Sequence, residues 1–216
     1  MSVSFPWPAG ATLRVTSVSG HVTIVAEERP DLLMETPKHR AELGDDGRTV
    51  TVRTITQRLV MRCPSGTDVV VGAVSGHIRL EGVFGSVRAA TVSGHIELDR
   101  AAGDADLRSV SGHLTVGGCA GRCQLNTKSG HISATRAESA LRACTLSGRI
   151  EVGTTGGDGV EVRTVSGGVH IEIEGGRLPR AQLRSLSGAV RCDCPQGGDF
   201  DLKASTVSGS IEVSRR

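Results

Sequence analysis

Five residues, Val-Ser-Gly-His-Ile, stand in full at positions 74–78 and 92–96, and again at 110–114 with Leu114 closing the unit. The central Ser-Gly, in the same setting, places its glycine at Gly20, Gly76, Gly94, Gly112, Gly130, Gly148, Gly167, Gly188 and Gly209. From Gly76 to Gly148 the interval is 18 residues four times running, and it then lengthens to 19, 21 and 21. A short fixed period is the mark of a repeat architecture in which each unit buries its apolar face on its neighbours. That requirement excludes most globular folds before any other residue is read.

The residues between the glycines settle which repeat it is. In Ile96-Glu97-Leu98, Val160-Glu161-Val162 and Ile211-Glu212-Val213 apolar and charged side chains alternate with period 2, as a strand with one buried face requires. Each period then holds two main strands, one before the Ser-Gly and one after it, with glycine at the corner between them. The expected architecture is all-β, a parallel β-helix or β-solenoid with coils of about 18–21 residues. With Val92 and Ile96 assigned inward, Ser93 and His95 face out and Gly94 lines the bend. Thr91, Ser109, Thr127 and their equivalents are expected to stack into one hydroxyl ladder that satisfies itself, with the corner serines forming a second. Arg88, Asp106, Gln124, Arg142, Glu161, Gln182 and Lys203 occupy one outward position and read as a solvated face. The Gly- and Ala-rich stretches 81–85 and 99–103 read as connections, where insertions are best tolerated.

Residues 13–25 already read as one coil around Gly20. Between Arg29 and Val71 the corner motif is lost, although strand-like runs persist at 32–36, 49–55, 59–62 and 69–71, with Gly44-Asp45-Asp46-Gly47 as a turn. The chain is therefore expected to be one domain over 1–216, in which 1–71 supplies an irregular N-terminal cap and first coils and 72–216 the regular repeats. Phe5 and Trp7 stand where a plug for the first coil belongs. At the other end the chain stops seven residues after Gly209, so its last strand is expected to leave an open edge.

Composition agrees with a narrow coil. There is no Tyr, one Trp and three Phe in 216 residues, so the interior must be aliphatic. A net charge of +2 with both signs interspersed offers no field for nucleic acid, and no such partner is expected. The first residues carry no basic and apolar signal segment, and no stretch approaches 18 apolar residues, so no integral membrane segment and a cytoplasmic location are expected. In that compartment the cysteines at 63, 119, 123, 144, 192 and 194 read as reduced thiols. Cys119 with Cys123, or Cys192 with Cys194, could each be half of a zinc site, but the paired spacings of complete sites are missing and small core residues are the simpler reading.

The entry strand region 13–24, the approach Val60-Met61-Arg62-Cys63-Pro64-Ser65-Gly66 and the recurring Val-Ser-Gly-x-Ile resemble the bacterial β-strand-repeat family labelled "putative adhesin", a family of unknown function. The resemblance covers nearly the whole chain and implies architecture, while departing from the family in placing His after Ser-Gly. No catalytic constellation and no cofactor site are evident, so the chain is not expected to be an enzyme. The favoured reading is a non-catalytic scaffold or interaction protein that binds a protein partner or itself, as a homo-oligomer through its C-terminal end. The alternative is a ligand-, metal- or pH-responsive module that uses His77, His95, His113 and His131, which should form an outward column with Arg149 continuing it.

Overall fold

The computed structural model describes residues 3–8, 10–35, 41–55, 58–155, 157 and 159–215. Among them the chain is all-β, and its strands assemble into a 12-stranded and an 11-stranded sheet that face each other across one continuous aliphatic core. Each coil contributes one strand to each sheet. Coil 87–101 is typical: Val87–Ser93 lies in one sheet, the chain turns at Gly94, and Ile96–Ala101 lies in the other. Val87, Ala89 and Thr91 point inward from the first strand, and Ile96, Leu98 and Ala101 from the second, all at 5% exposure or less. Each large aliphatic side chain buried in this way contributes about 1.5–3 kcal/mol.

Identical positions stack in register. Val87 pairs with Val69 below and Ala105 above, and Ile96 with Ile78 and Leu114. The strands run further than the sequence suggests, because Ile78–Phe84 and Ile96–Ala101 take in most of the stretches 81–85 and 99–103. A bulge opposite Leu98 and Arg100 absorbs the extra residue of coil 68–84. Phe84 is fully buried and stacks on Ala101, whose small side chain leaves room for the ring.

Chain order and stacking order agree only in the middle. From coil 68–84 to coil 159–173 each unit lies on the one before it. At the C-terminal end Phe200–Ser208 and Ile211–Arg215 pair with coil 159–173 on one side and with Pro179–Ser187 and Val190–Cys192 on the other. The expectation that the chain's last strand forms the open edge is therefore corrected. Ile211 is 1% exposed between Val169 and Val190, and the outermost coil is 179–192. The N-terminal end mirrors this arrangement, since coil 12–27 sits between coil 49–64 and coil 68–84.

Beyond coil 49–64 the pairing turns antiparallel and closes that end. Asp31–Met34 lies against Leu59–Pro64, Val3–Pro6 lies on Asp31–Met34, and Ala41–Leu43 forms a hairpin with Thr49–Thr54. Of the strand-like run 32–36, residue 36 lies outside the described residues. The hairpin turn is held by Asp46, whose carboxylate accepts the Thr49 hydroxyl at 2.6 Å and the Arg48 and Thr49 N–H groups at 2.9 Å, and these bonds hold its pKa down at about 2. Leu32 and Met34 are buried, and Phe5 and Trp7 pack partly buried against the core, as a plug would.

Candidate functional site

The glycine corner is where the side chains singled out by the repeat converge. Alternation counted from Val87 carries through Thr91, so Thr91 is buried and Val92 is 46% exposed. This corrects the inward assignment of Val92. The equivalent Val18, Val74, Val110, Leu146, Val165 and Val207 are exposed as well, and they form an aliphatic stripe along the molecule with Lys128 as its one polar member. Glycine is required at the bend because the coils nearly touch there. Gly76 has φ 140°, and a Cβ on it would lie 2.0 Å from the carbonyl oxygen of Gly20. The space denied to a side chain lies along the stack, not toward the core.

The buried hydroxyls do not bond to one another as the sequence suggested. Ser109, Thr127 and Thr145 donate to the carbonyls of Gly94, Gly112 and Gly130 in the preceding coil, at 3.4–3.5 Å. Thr91 and Thr164 have no partner within hydrogen-bonding distance.

After the glycine comes the imidazole column. The sequence placed His77, His95, His113 and His131 in it, and the structure adds His21, because coil 12–27 lies directly under coil 68–84. Successive ring centroids are 4.6–4.8 Å apart and the planes lie within 28° of parallel, so the rings stack face to face and not edge to edge. The stack also does backbone work. His113, His131 and Arg149 donate their N–H groups to Nδ1 of His95, His113 and His131 at 2.9–3.0 Å, and His95 N–H approaches His77 Nδ1 at 3.4 Å. The rings of His77, His95, His113 and His131 thus each take up a peptide N–H of the next coil.

That bond fixes the chemistry of the ring. An Nδ1 that accepts a hydrogen bond carries no proton, so the neutral ring holds its hydrogen on Nε2. Protonation would set N–H against N–H. His95 is held below its ordinary value by burial first and then by the neighbouring His113 and His77, with Glu97 opposing. A metal ion would have to displace the peptide N–H from Nδ1 or force the other tautomer to free Nε2, and parallel rings do not converge on one point. Among the described residues no three His, Cys, Asp or Glu side chains gather in a metal-binding group.

Residues 38–216 match the family model described as Toastrack DUF4097, a domain of unknown function. The chain belongs to the Toastrack family. Two solved structures share the fold over nearly the whole length. A "putative adhesin" from Bacteroides fragilis NCTC 9343 has 12% identity and a TM-score of 0.59, and the alignment covers 100% of this chain and 96% of that one. A "putative adhesin" from Parabacteroides distasonis ATCC 8503 has 13% identity and a TM-score of 0.53, covering 98% and 96%. No curated protein matches the chain.

The outermost coil of this Toastrack protein is the second place where side chains lack their usual cover. In coil 179–192 the inward positions Ala181, Leu183 and Cys192 are only partly buried, and Leu186 is 83% exposed. Cys194 follows in the same exposed layer, with its Sγ 3.0 Å from that of Cys192. Cys119 and Cys123, in contrast, are 1% exposed inside the stack, as small core residues. Depressions on the sheet faces are shallow and open, one of them lined by Asp68, Ser86, Arg88, Asp104, Asp106 and Arg122 together with Val69 and Val87. Among the described residues no helix is long and apolar enough to cross a membrane.

Proposed function

We propose that this Toastrack protein is a non-catalytic scaffold that joins a second copy of itself, tail to tail, through coil 179–192. The observation that carries this reading is the difference between the two ends. Antiparallel strands lie over coil 49–64, whereas Pro179–Ser187 presents one row of backbone N–H and C=O groups with no described strand beside it. Such an edge is a template for a further strand. A two-fold axis pairs the edge with its own copy in antiparallel fashion. Centred on Leu183, that pairing sets Gln182 beside Arg184 and Arg180 beside Leu186 of the other copy, so no arginine faces another. Centred on Gln182 it would oppose Arg180 to Arg184. The test is light scattering at high micromolar concentration. Wild type should have the mass of a dimer and Leu183→Lys that of a monomer. A monomeric wild type, or a variant that dimerises equally well, overturns the proposal.

A second reading, a pH-responsive surface, is favoured by the imidazole stack, whose rings each exchange an acceptor for a donor on protonation. It concerns a different part of the molecule and does not compete with the first.

A further inference from the structure

We infer that Cys192 and Cys194 form a reversible dithiol–disulfide site whose reaction partner is a small disulfide compound of the glutathione type. In a straight strand, residues two apart hold their Cβ atoms about 6.6 Å from each other, beyond the roughly 3.5–4.5 Å that a disulfide spans. Here the strand Val190–Cys192 ends, the Asp193 N–H is tied to the Val213 carbonyl at 2.9 Å, and the chain bends at Cys194 so that the two Sγ atoms stand 3.0 Å apart. A disulfide needs them at about 2.05 Å, a closure of roughly 1 Å by side-chain rotation.

Proximity in sequence alone does not single this pair out, because Cys119 and Cys123 also lie close in the chain, with the Cys119 thiol turned to the Gly121 carbonyl at 3.4 Å. Access does. Cys119 and Cys123 are 1% exposed between coils, and Cys63 is fully buried with its thiol pushed up to about 11 by that burial. Cys144 is partly exposed but stands alone. Of the six cysteines, Cys192 and Cys194 are the two that are both adjacent and reachable from solvent, because coil 179–192 is the outermost one. The inference does not rest on self-association, since both sulfurs belong to one chain.

The reaction balances with the small disulfide as oxidant. One thiol loses its proton to solvent, and the thiolate attacks a sulfur of R–S–S–R, expelling RS⁻ and leaving a mixed disulfide. The second thiol, already in contact, loses its proton and attacks the protein sulfur of that mixed disulfide, expelling the second RS⁻. Two protons and two electrons leave the protein, and the small disulfide departs as two thiols. Cys194 is pushed up to about 11, by burial first and then by the Cys192 thiol, so its thiol rests protonated near neutrality. Exchange should therefore quicken as pH rises toward that value.

The test uses the full chain, as wild type and as Leu183→Lys to keep the end uncovered, incubated with oxidised glutathione, quenched by alkylation and mapped by peptide mass. The peptide holding Cys192 and Cys194 should lose two hydrogens, carry no glutathione and recover both thiols in dithiothreitol, while Cys63, Cys119 and Cys123 react only after denaturation. Cys192→Ser should instead leave a stable glutathione adduct on Cys194. Two results overturn the inference: a Cys192–Cys194 peptide still unoxidised when Cys144 has become glutathionylated, or a stable adduct in the wild-type chain.

Discussion

The middle of the molecule and its two ends are built from the same coil by different rules. From coil 87–101 to coil 141–155 every coil is laid on the one before it, so each new strand finds its partner about 18 residues back. At the ends the chain leaves a gap and fills it later or from behind. Coil 12–27 is enclosed by 49–64 and 68–84, and coil 200–215 by 159–173 and 179–192. The first and last coils in sequence are thereby paired on both sides, and the outer edges fall to the strands Val3–Pro6 and Ala41–Leu43 at one end and to coil 179–192 at the other. A repeat in which every coil offers the same corner permits this, because the stacking surface of any unit accepts any other.

The largest effect should come from the middle. A Cβ on Gly112 would lie 1.8 Å from the Gly94 carbonyl oxygen, and coils on both sides prevent relief, so Gly112→Ala should cost more than about 4 kcal/mol and abolish soluble expression. Gly188→Ala meets Gly209 at 2.1 Å, but coil 179–192 can lift away on its free side, and urea denaturation should show a loss of about 1–2 kcal/mol. Equal costs would erase the distinction between interior and outermost coils.

Next in size is a reversal that stacking order predicts and chain order does not. Ile211→Asp places an unpaired carboxylate at a 1% exposed position and should cost about 3–4 kcal/mol, whereas Val190→Asp, at 44% exposure, should cost under about 1 kcal/mol. Both are read from chemical denaturation. The opposite ranking would place Ile211 at the edge.

Within the middle, the hydroxyl column separates satisfied from unsatisfied members. Thr91→Val removes a buried hydroxyl that has no partner and should raise stability by about 0.5–1 kcal/mol, while Thr127→Val also removes a bond to the Gly112 carbonyl and should gain nothing.

The smallest effect is a pH dependence confined to the imidazole stack. His95 titrates below its ordinary value near 6.5 in the folded protein, so the unfolded chain binds its proton first as pH falls. Stability should be unaffected above that value, decline as pH drops through it, and level off once the folded-state value is passed. His95→Gln should flatten the decline. A wild-type melting temperature that is constant through this window would show that protonation does not disturb the Nδ1 bonds.

Much of this was legible in the sequence, and the failures have physical causes. The 18-residue interval and the alternation in Ile96-Glu97-Leu98 give the two-stranded coil directly, since only an in-register parallel stack repeats both. Val92 was misplaced because its apolar character outweighed the alternation that runs from Val87 through Ala89 to Thr91. The corner consumes an odd number of residues, and an exposed valine costs little. His21 follows Ser19-Gly20 just as His77 follows Ser75-Gly76, so its signal was present, but 56 residues of separation between the glycines hid the contact. The order of coils at the ends was not legible at all, because coils 179–192 and 200–215 carry equivalent corners and the pattern does not rank them. The bond from each peptide N–H to Nδ1 was equally hidden, since it depends on ring orientation.

The enclosure of coil 200–215 is tested most directly by cross-linking at one outward position of three coils. Lys203 is the register neighbour of both Glu161 and Gln182, which are therefore two coils apart. Neighbouring strands lie about 4.8 Å apart, within disulfide reach, whereas twice that distance is not. With Glu161→Cys and Lys203→Cys together, mild oxidation should form an intrachain disulfide detectable by peptide mass, and Glu161→Cys with Gln182→Cys should form none. A disulfide between 161 and 182, with none between 161 and 203, would mean that the coils stack in chain order and would contradict the account.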